Sequence, residues 1–185
     1  MSTDRPTLRL AHVVERTRSE GPGLRTAIWA QGCTILCPGC CNPELFTARG
    51  GRDVPIDEVV ASCDGVEGLT VVGGEPFDQP AGLAALMAAL PAELSRIVFT
   101  GYRLEELEAR RCAHIDAILA ELDVLVDGRF DASRPDDQRR FVGSTNQRVR
   151  FLTDRHGPDD FRGSATMELR YKDGKVVVVG WPAWR

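Results

Sequence analysis

Short β-like segments alternate with helical segments along most of this 185-residue chain, and this alternation restricts the folds that it can adopt. Strands of about five residues separated by helices of roughly 10–18 residues indicate repeated βα units and a parallel sheet. The predicted strands are residues 8–15, 24–31, 69–72, 97–100 and 123–126, and the predicted helices are 56–63, 81–90 and 104–122, with a break near Cys112. The sequence therefore predicts one α/β domain over residues 1–185.

The C-terminal segment departs from this alternation. Lys172-Asp173-Gly174 separates two β-like runs, and Asp-Gly readily supplies the positive φ of a tight turn. We expect a C-terminal β-hairpin inside an extension at residues 153–185, after a core over residues 8–152. Trp181 and Trp184 are expected to cover an apolar edge.

The composition excludes several classes of protein. Apolar residues make up 43% and charged residues 27% of the chain, which excludes disordered and fibrous proteins. A net charge of −4 argues against nucleic-acid binding driven by bulk positive charge. No segment has the pattern of a signal peptide or reaches the roughly 18 apolar residues of a membrane helix. We therefore expect a cytoplasmic protein that binds neither nucleic acid nor a membrane.

Unusual short sequences follow several of the predicted strands. They are Gly73-Gly74-Glu75-Pro76, Thr100-Gly101-Tyr102 and Asp127-Gly128-Arg129-Phe130, and a cysteine-rich loop follows the strand at 24–31. The carboxyl ends of parallel strands meet at one edge of a sheet, where α/β proteins bind their ligands. The sequence predicts a site at this edge, although Gly-Gly and Asp-Gly also occur in ordinary turns.

The cysteine-rich loop predicts a metal centre. Four of the six cysteines fall within nine residues, and Cys33, Cys37 and Cys40 have the spacing C-x3-C-x2-C. Three thiolates leave one iron of a [4Fe–4S] cluster open to a further ligand. Cys41 is an alternative ligand, but adjacent side chains usually diverge. A zinc site is the other interpretation, although no second pair of ligands follows and Cys63 and Cys112 fit buried apolar positions.

The ordered set of motifs resembles the radical S-adenosylmethionine (SAM) superfamily. The finer resemblance is to the activases of glycyl-radical enzymes, of the anaerobic ribonucleotide reductase activating type, and covers roughly residues 8–152. One departure is Cys41, where the family usually has an aromatic residue. The matching residues are Gly21–Arg25, Gln31–Cys33, Cys37–Cys40, Asn42-Pro43, Gly73–Pro76, Thr100–Tyr102, Asp127–Phe130 and Gly143–Arg148.

The resemblance implies a partial, open (βα) barrel that holds a [4Fe–4S] cluster on Cys33, Cys37 and Cys40 and binds SAM beside it. It implies an oxidoreductase in which SAM is cleaved to a 5′-deoxyadenosyl radical that abstracts hydrogen, with a glycine of a large glycyl-radical protein as donor. An external one-electron reductant such as flavodoxin or ferredoxin would supply the electron. The residues assigned to SAM are Gly39, Cys41, Gly73, Gly74, Glu75, Pro76, Thr100, Asp127, Gly128 and Arg129.

Two other interpretations of the sequence remain open at this point. One is a radical SAM enzyme that modifies a peptide or a small molecule, for which the unmatched extension and Cys41 leave room. The other is a non-catalytic iron–sulfur electron carrier or structural metal protein. Cleavage of SAM by the reduced protein separates the second interpretation from both enzymes.

Overall fold

The computed structural model describes residues 5–172 and 175–180. The predicted strands and helical segments are present, but two further strands, at 52–55 and 148–151, were not predicted. The break near Cys112 is confirmed, since Arg111 turns the chain at φ +47° between two helices. The strands are β1 (Thr7–Thr17), β2 (Arg25–Ala30), β3 (Arg52–Pro55), β4 (Gly68–Gly73), β5 (Ser95–Thr100), β6 (Val124–Asp127), β7 (Arg148–Phe151), β8 (Met167–Lys172) and β9 (Lys175–Gly180). The α-helices are α1 (Ile56–Ala61), α2 (Pro80–Ala89), α3 (Leu104–Ala109) and α4 (Ala113–Glu121).

Seven strands form one mixed sheet in the order β3-β1-β2-β4-β5-β6-β7. The central strands β2, β4, β5 and β6 are parallel, as predicted, but β1, β3 and β7 pair antiparallel with their neighbours. The seven residues between β1 and β2 hold no helix, and a connection this short joins only antiparallel neighbours. The sheet is open rather than a closed barrel, because β3 and β7 form its two edges.

Side chains alternate between the two faces of the sheet, and the α-helices of the described residues pack on one of them. Ile28, Leu69 and Val98 point into a core shared with α1, α2 and α4. Ile97 and Val126 point the other way and pack on a smaller apolar cluster of the segment after β6. We call this second face the open face.

The last two described strands, β8 and β9, form a separate antiparallel hairpin, which confirms the predicted C-terminal β-hairpin. Its turn residues Asp173 and Gly174, and the tail with Trp181 and Trp184, lie outside the described residues. Within the described part of the chain, no helix has both the length and the apolar character that a membrane crossing requires.

Candidate functional site

A cavity of about 970 Å³ lies on the open face, at the carboxyl ends of the parallel strands. Its volume is at the upper end of the roughly 300–1,000 Å³ range typical of small-molecule sites. Trp29, Val72 and Phe99 form its floor on neighbouring strands, and the cysteine loop and the hairpin form walls. The arrangement confirms that the strand-end motifs and the cysteine loop meet at one edge of the sheet.

Most of the predicted site residues line this cavity. Those that do are Cys33, Cys37, Cys40, Cys41, Gly73, Gly74, Glu75, Thr100 and Gly128. Those that do not are Gly39, Pro76, Asp127 and Arg129. The structure thus gathers the cysteine loop and the ends of β4, β5 and β6 around one space.

Backbone hydrogen bonds join the start of the cysteine loop to the residues that follow it and brace the loop internally. The backbone N–H of Gly32 donates to the carbonyl of Leu45 at 3.0 Å, and the N–H of Cys33 donates to Phe46 at 3.3 Å. Within the loop, Cys40 donates to the carbonyl of Cys37 at 3.2 Å. These bonds close the loop, and its four cysteines line the cavity.

Asp78 is a further anchor that the sequence analysis did not identify. Its carboxylate accepts hydrogen bonds from the N–H of Thr34 at 2.8 Å and from the Thr34 hydroxyl at 2.9 Å. The Tyr102 hydroxyl donates to the same carboxylate at 3.3 Å. Asp78 comes two residues after the Gly73–Pro76 motif, and that proximity was the one signal in the sequence. It connects the residue after Cys33 to the ends of β4 and β5.

The three predicted ligand thiols are free and half-buried, which suits metal ligation. Partial burial raises the pKa of Cys33 and of Cys37. The pKa of Cys40 is instead lowered to about 6, because the neighbouring thiol of Cys41 hydrogen-bonds to it, and the same contact raises the pKa of Cys41. Cys41 thus differs electrostatically from Cys33 and Cys37, since its thiol favours the thiolate form of Cys40.

The donor set can also be compared with what a cluster and a single ion require. Within residues 5–172 and 175–180, no three His, Cys, Asp or Glu side chains are grouped to hold one metal ion. In an iron–sulfur cluster each thiolate binds a different iron, so the ligands stand farther apart than around one zinc ion. Three thiols on the wall of one roomy cavity fit a cluster. Cys63, by contrast, is buried in the core, as predicted.

Gly73 and Gly74 allow the end of β4 to approach the cysteine loop closely. The N–H of Gly74 donates to Ala30 and the N–H of Glu75 donates to Gly32, both at 2.8 Å. A Cβ atom on Gly74 would lie 2.0 Å from the carbonyl oxygen of Gly32, and Gly73 has φ +107°. The glycines are required by backbone packing inside the protein, whatever else approaches them.

Glu75 is almost fully buried and its carboxylate bonds within the protein. It accepts hydrogen bonds from Phe77 N–H at 2.9 Å, Thr100 hydroxyl at 2.8 Å and Gly101 N–H at 2.9 Å. Burial raises its pKa to about 7 despite these donors. Of the two roles open to it from the sequence, the structure places Glu75 against local backbone, where it joins the ends of β4 and β5.

Asp127 and Arg129 make ion pairs instead of facing the cavity. Asp127 is fully buried at the end of β6, where Arg148 Nε donates to it at 2.9 Å and Leu104 N–H donates at 2.8 Å. Arg129 pairs with Glu106 at 3.0 Å. Gly128 between them does reach the cavity, with its N–H bonded to Thr100 at 3.1 Å. The structure therefore brings the backbone of this motif, and not its charges, to the site.

Comparison with known proteins agrees with this geometry. A family described as "4Fe-4S single cluster domain" matches residues 19–150, which include the cysteine loop and the strand ends. The chain is 31% identical over 144 residues to the anaerobic ribonucleoside-triphosphate reductase-activating protein of Salmonella typhimurium, covering 71% of this chain and 91% of that one. The proteins of the same name from Escherichia coli K12 and Enterobacteria phage T4 are 30% and 28% identical over 144 residues, covering 71% and 72% of this chain and 91% and 88% of theirs. With its cysteine loop inside the matched 4Fe-4S domain, the chain belongs to the anaerobic ribonucleoside-triphosphate reductase-activating protein family.

Proposed function

We propose that this protein activates an anaerobic ribonucleoside-triphosphate reductase by forming a radical on a glycine of that enzyme. The observation that carries the proposal is that three cysteine thiols share one cavity with the ends of β4, β5 and β6. The structure has an open, mixed seven-stranded sheet and does not confirm the partial (βα) barrel that the resemblance implied. When bound, the [4Fe–4S] cluster and SAM supply the 5′-deoxyadenosyl radical that removes the hydrogen atom.

The chain's own residues bind, orient and shield these groups. Cys33, Cys37 and Cys40 would hold the cluster, and the Cys41 thiol favours the thiolate form of Cys40. The backbone of Gly73, Gly74 and Gly128 borders the space left for SAM, while Asp127 and Arg129 fix that backbone through ion pairs. Trp29 and Phe99 give the cavity an apolar floor that excludes water from a reactive radical.

The test of the proposal uses anaerobically reconstituted protein with SAM, a chemical or flavodoxin-type reductant and the purified reductase. We expect about four irons per chain, formation of 5′-deoxyadenosine and a glycyl-radical signal in electron paramagnetic resonance. Alanine at Cys33, Cys37 or Cys40 should remove the cluster and all activity, because each thiolate is a required anchor. Cys41→Ala should keep the cluster, and Cys112→Ala is the matched control outside the cavity.

Three results would contradict the proposal. Stoichiometric zinc in oxygen-free preparations would exclude the cluster. If the protein holds a cluster but does not cleave SAM, the remaining interpretation is an iron–sulfur electron carrier. The third result is that the protein cleaves SAM yet forms no radical on the reductase at concentrations where the two proteins form a complex. The remaining interpretation would then be a radical SAM enzyme that acts on a peptide or a small molecule.

A further inference from the structure

The β8–β9 hairpin covers part of the candidate cavity. It follows the segment that matches the 4Fe-4S family, which ends at residue 150. Both of its strands contribute to the cavity wall. The hairpin residues that line the cavity are Arg170, Tyr171, Val178, Val179 and Gly180. This chain therefore adds, beyond the matched domain, a structural element at the entrance to its site.

The hairpin is attached to the rest of the protein mainly by polar contacts. Arg170 donates from its two terminal nitrogens to the carbonyls of Glu15 and Arg16, each at 2.6 Å. Glu168 accepts a hydrogen bond from Arg18 N–H at 2.6 Å, and Glu20 accepts one from Gly180 N–H at 2.8 Å. The side chains of Glu168 and Arg170 thus face the protein.

The outward face of the hairpin is apolar, although side chains that face solvent are normally polar. Leu169 lies opposite Val178, and Tyr171 lies opposite Val176, on that face. The exposed fractions are 65% for Leu169, 78% for Tyr171, 64% for Val176 and 45% for Val178, with Met167 at 36%. A two-stranded sheet with one solvent-exposed face normally turns its apolar side chains toward the protein. Contiguous exposed apolar residues of this kind mark an interaction surface.

We propose that this outward face (Met167, Leu169, Tyr171, Val176 and Val178) docks the apolar surface of the protein substrate. The proposal rests on the function proposed above, in which a backbone glycine of another protein must reach the cavity. Tyr171 and Val178 belong both to the outward face and to the cavity wall, so the docking surface continues into the site. A protein that inserts a loop into the cavity would meet this part of its wall.

The chemistry of the face suits an apolar protein partner. Its described side chains are aliphatic apart from Tyr171 and Met167, and none of them is charged. Aromatic and methionine side chains are enriched at the buried centre of protein interfaces, where charged residues are depleted. Docking of the partner on the hairpin would bury side chains that are now exposed to solvent. It would also cover one wall of the cavity.

The test compares wild-type protein with the variant Leu169→Ser/Val176→Thr. These two side chains lie on the outward face but do not line the cavity. Using the purified reductase as the probe, we expect about a tenfold or greater rise in Kd and a matching loss of glycyl radical at limiting concentration. The variant should form 5′-deoxyadenosine from SAM at the wild-type rate when the reductase is absent. Leu152→Ser, another exposed apolar position, is the matched control and should bind normally.

A second measurement needs no variant. Backbone amides of residues 167–172 and 176–180 should exchange with deuterium more slowly when the reductase is added to wild-type protein. If the variant binds like wild type, or these amides are not protected, the docking surface is wrong while the proposed function stands. If the face instead pairs two copies of the chain, wild type will sediment as a dimer and the variant as a monomer with unchanged reductase binding, which also overturns the proposal. Wild-type protein that neither binds nor activates the reductase overturns both.

Discussion

Asp78 connects the cysteine loop to the sheet through hydrogen bonds to Thr34 and Tyr102, neither of which is a predicted cluster ligand. Its carboxylate receives two hydrogen bonds from Thr34, the residue after Cys33, and one from Tyr102 at the end of β5. Tyr102 is itself held from the other side, since the Arg110 guanidinium stacks 3.8 Å from the centre of its ring. A loop that must present three thiols in one arrangement benefits from such supports.

Asp78→Ala should loosen the cysteine loop without removing a ligand. Hydrogen bonds to a charged group contribute about 1.5–3 kcal/mol each, so loss of this carboxylate weakens the loop substantially. We expect the reconstituted variant to lose its cluster several-fold faster than wild type, measured as the decay of visible absorbance and of bound iron after exposure to a chelator. Asp57→Ala removes an exposed carboxylate paired with Arg5, and it should behave like wild type. Equal decay in all three proteins would show that Asp78 does not support the loop.

At the scale of elements, the end of β4 and the cysteine loop are packed backbone against backbone. The two adjacent glycines before Glu75 predict a close approach, but they do not reveal what approaches. The structure shows that the carbonyl of Gly32 takes the space, 2.0 Å from where a Cβ of Gly74 would stand. The sequence motif and the loop therefore depend on each other for their positions.

Gly74→Ala should consequently destabilise the protein, and Gly74→Val should do so more strongly. Crowding in a packed region costs about 1–3 kcal/mol, and here the obstructing atom is backbone, which yields least. We expect a lower Tm, reduced iron content and, as a consequence, weaker SAM binding than in Glu75→Gln. Gly157→Ala is the matched control, because nothing beyond its own chain neighbours lies within 4 Å of the place that its Cβ would take. A Gly74→Ala protein with wild-type Tm and iron content would contradict this account.

The sequence predicted the strands of this sheet better than their directions. Leu69–Val72 and Ile97–Thr100 were recognisable because buried parallel strands are short apolar runs bounded by glycine. The antiparallel direction of β1 depends on the helix-free connection at 18–24, and the pattern of apolar residues does not encode it. Likewise, Asp127 looks like a ligand in the sequence, but its partner Arg148 is twenty-one residues away and becomes visible only in the fold.

At the scale of the whole molecule, the two ends of the sheet carry groups whose pKa values shift in opposite directions. Beside the cavity, burial raises the pKa of Glu75 and of Glu20 to about 7. At the other end, His156 contacts Ser95 at 2.6 Å, and burial lowers its pKa. The carboxyl groups therefore favour the folded state at low pH, whereas the histidine disfavours it below its ordinary pKa of 6.5.

Glu75→Gln isolates one of these contributions to stability. Between its ordinary pKa of 4.5 and about 7, folded Glu75 keeps a proton that the unfolded chain has released, so wild type loses stability as the pH rises through this range. The glutamine stays neutral, and His156 and Glu20 act equally in both proteins. Relative to wild type, the free energy of unfolding of the variant should therefore increase by up to about 3 kcal/mol between pH 4.5 and pH 8. Urea unfolding of the cluster-free proteins at several pH values measures this difference. Glu58→Gln, at an exposed carboxyl whose pKa is lowered by Arg52, is the control and should show no such increase. If the difference in free energy of unfolding between Glu75→Gln and wild type stays constant with pH, the Glu75 carboxyl titrates normally.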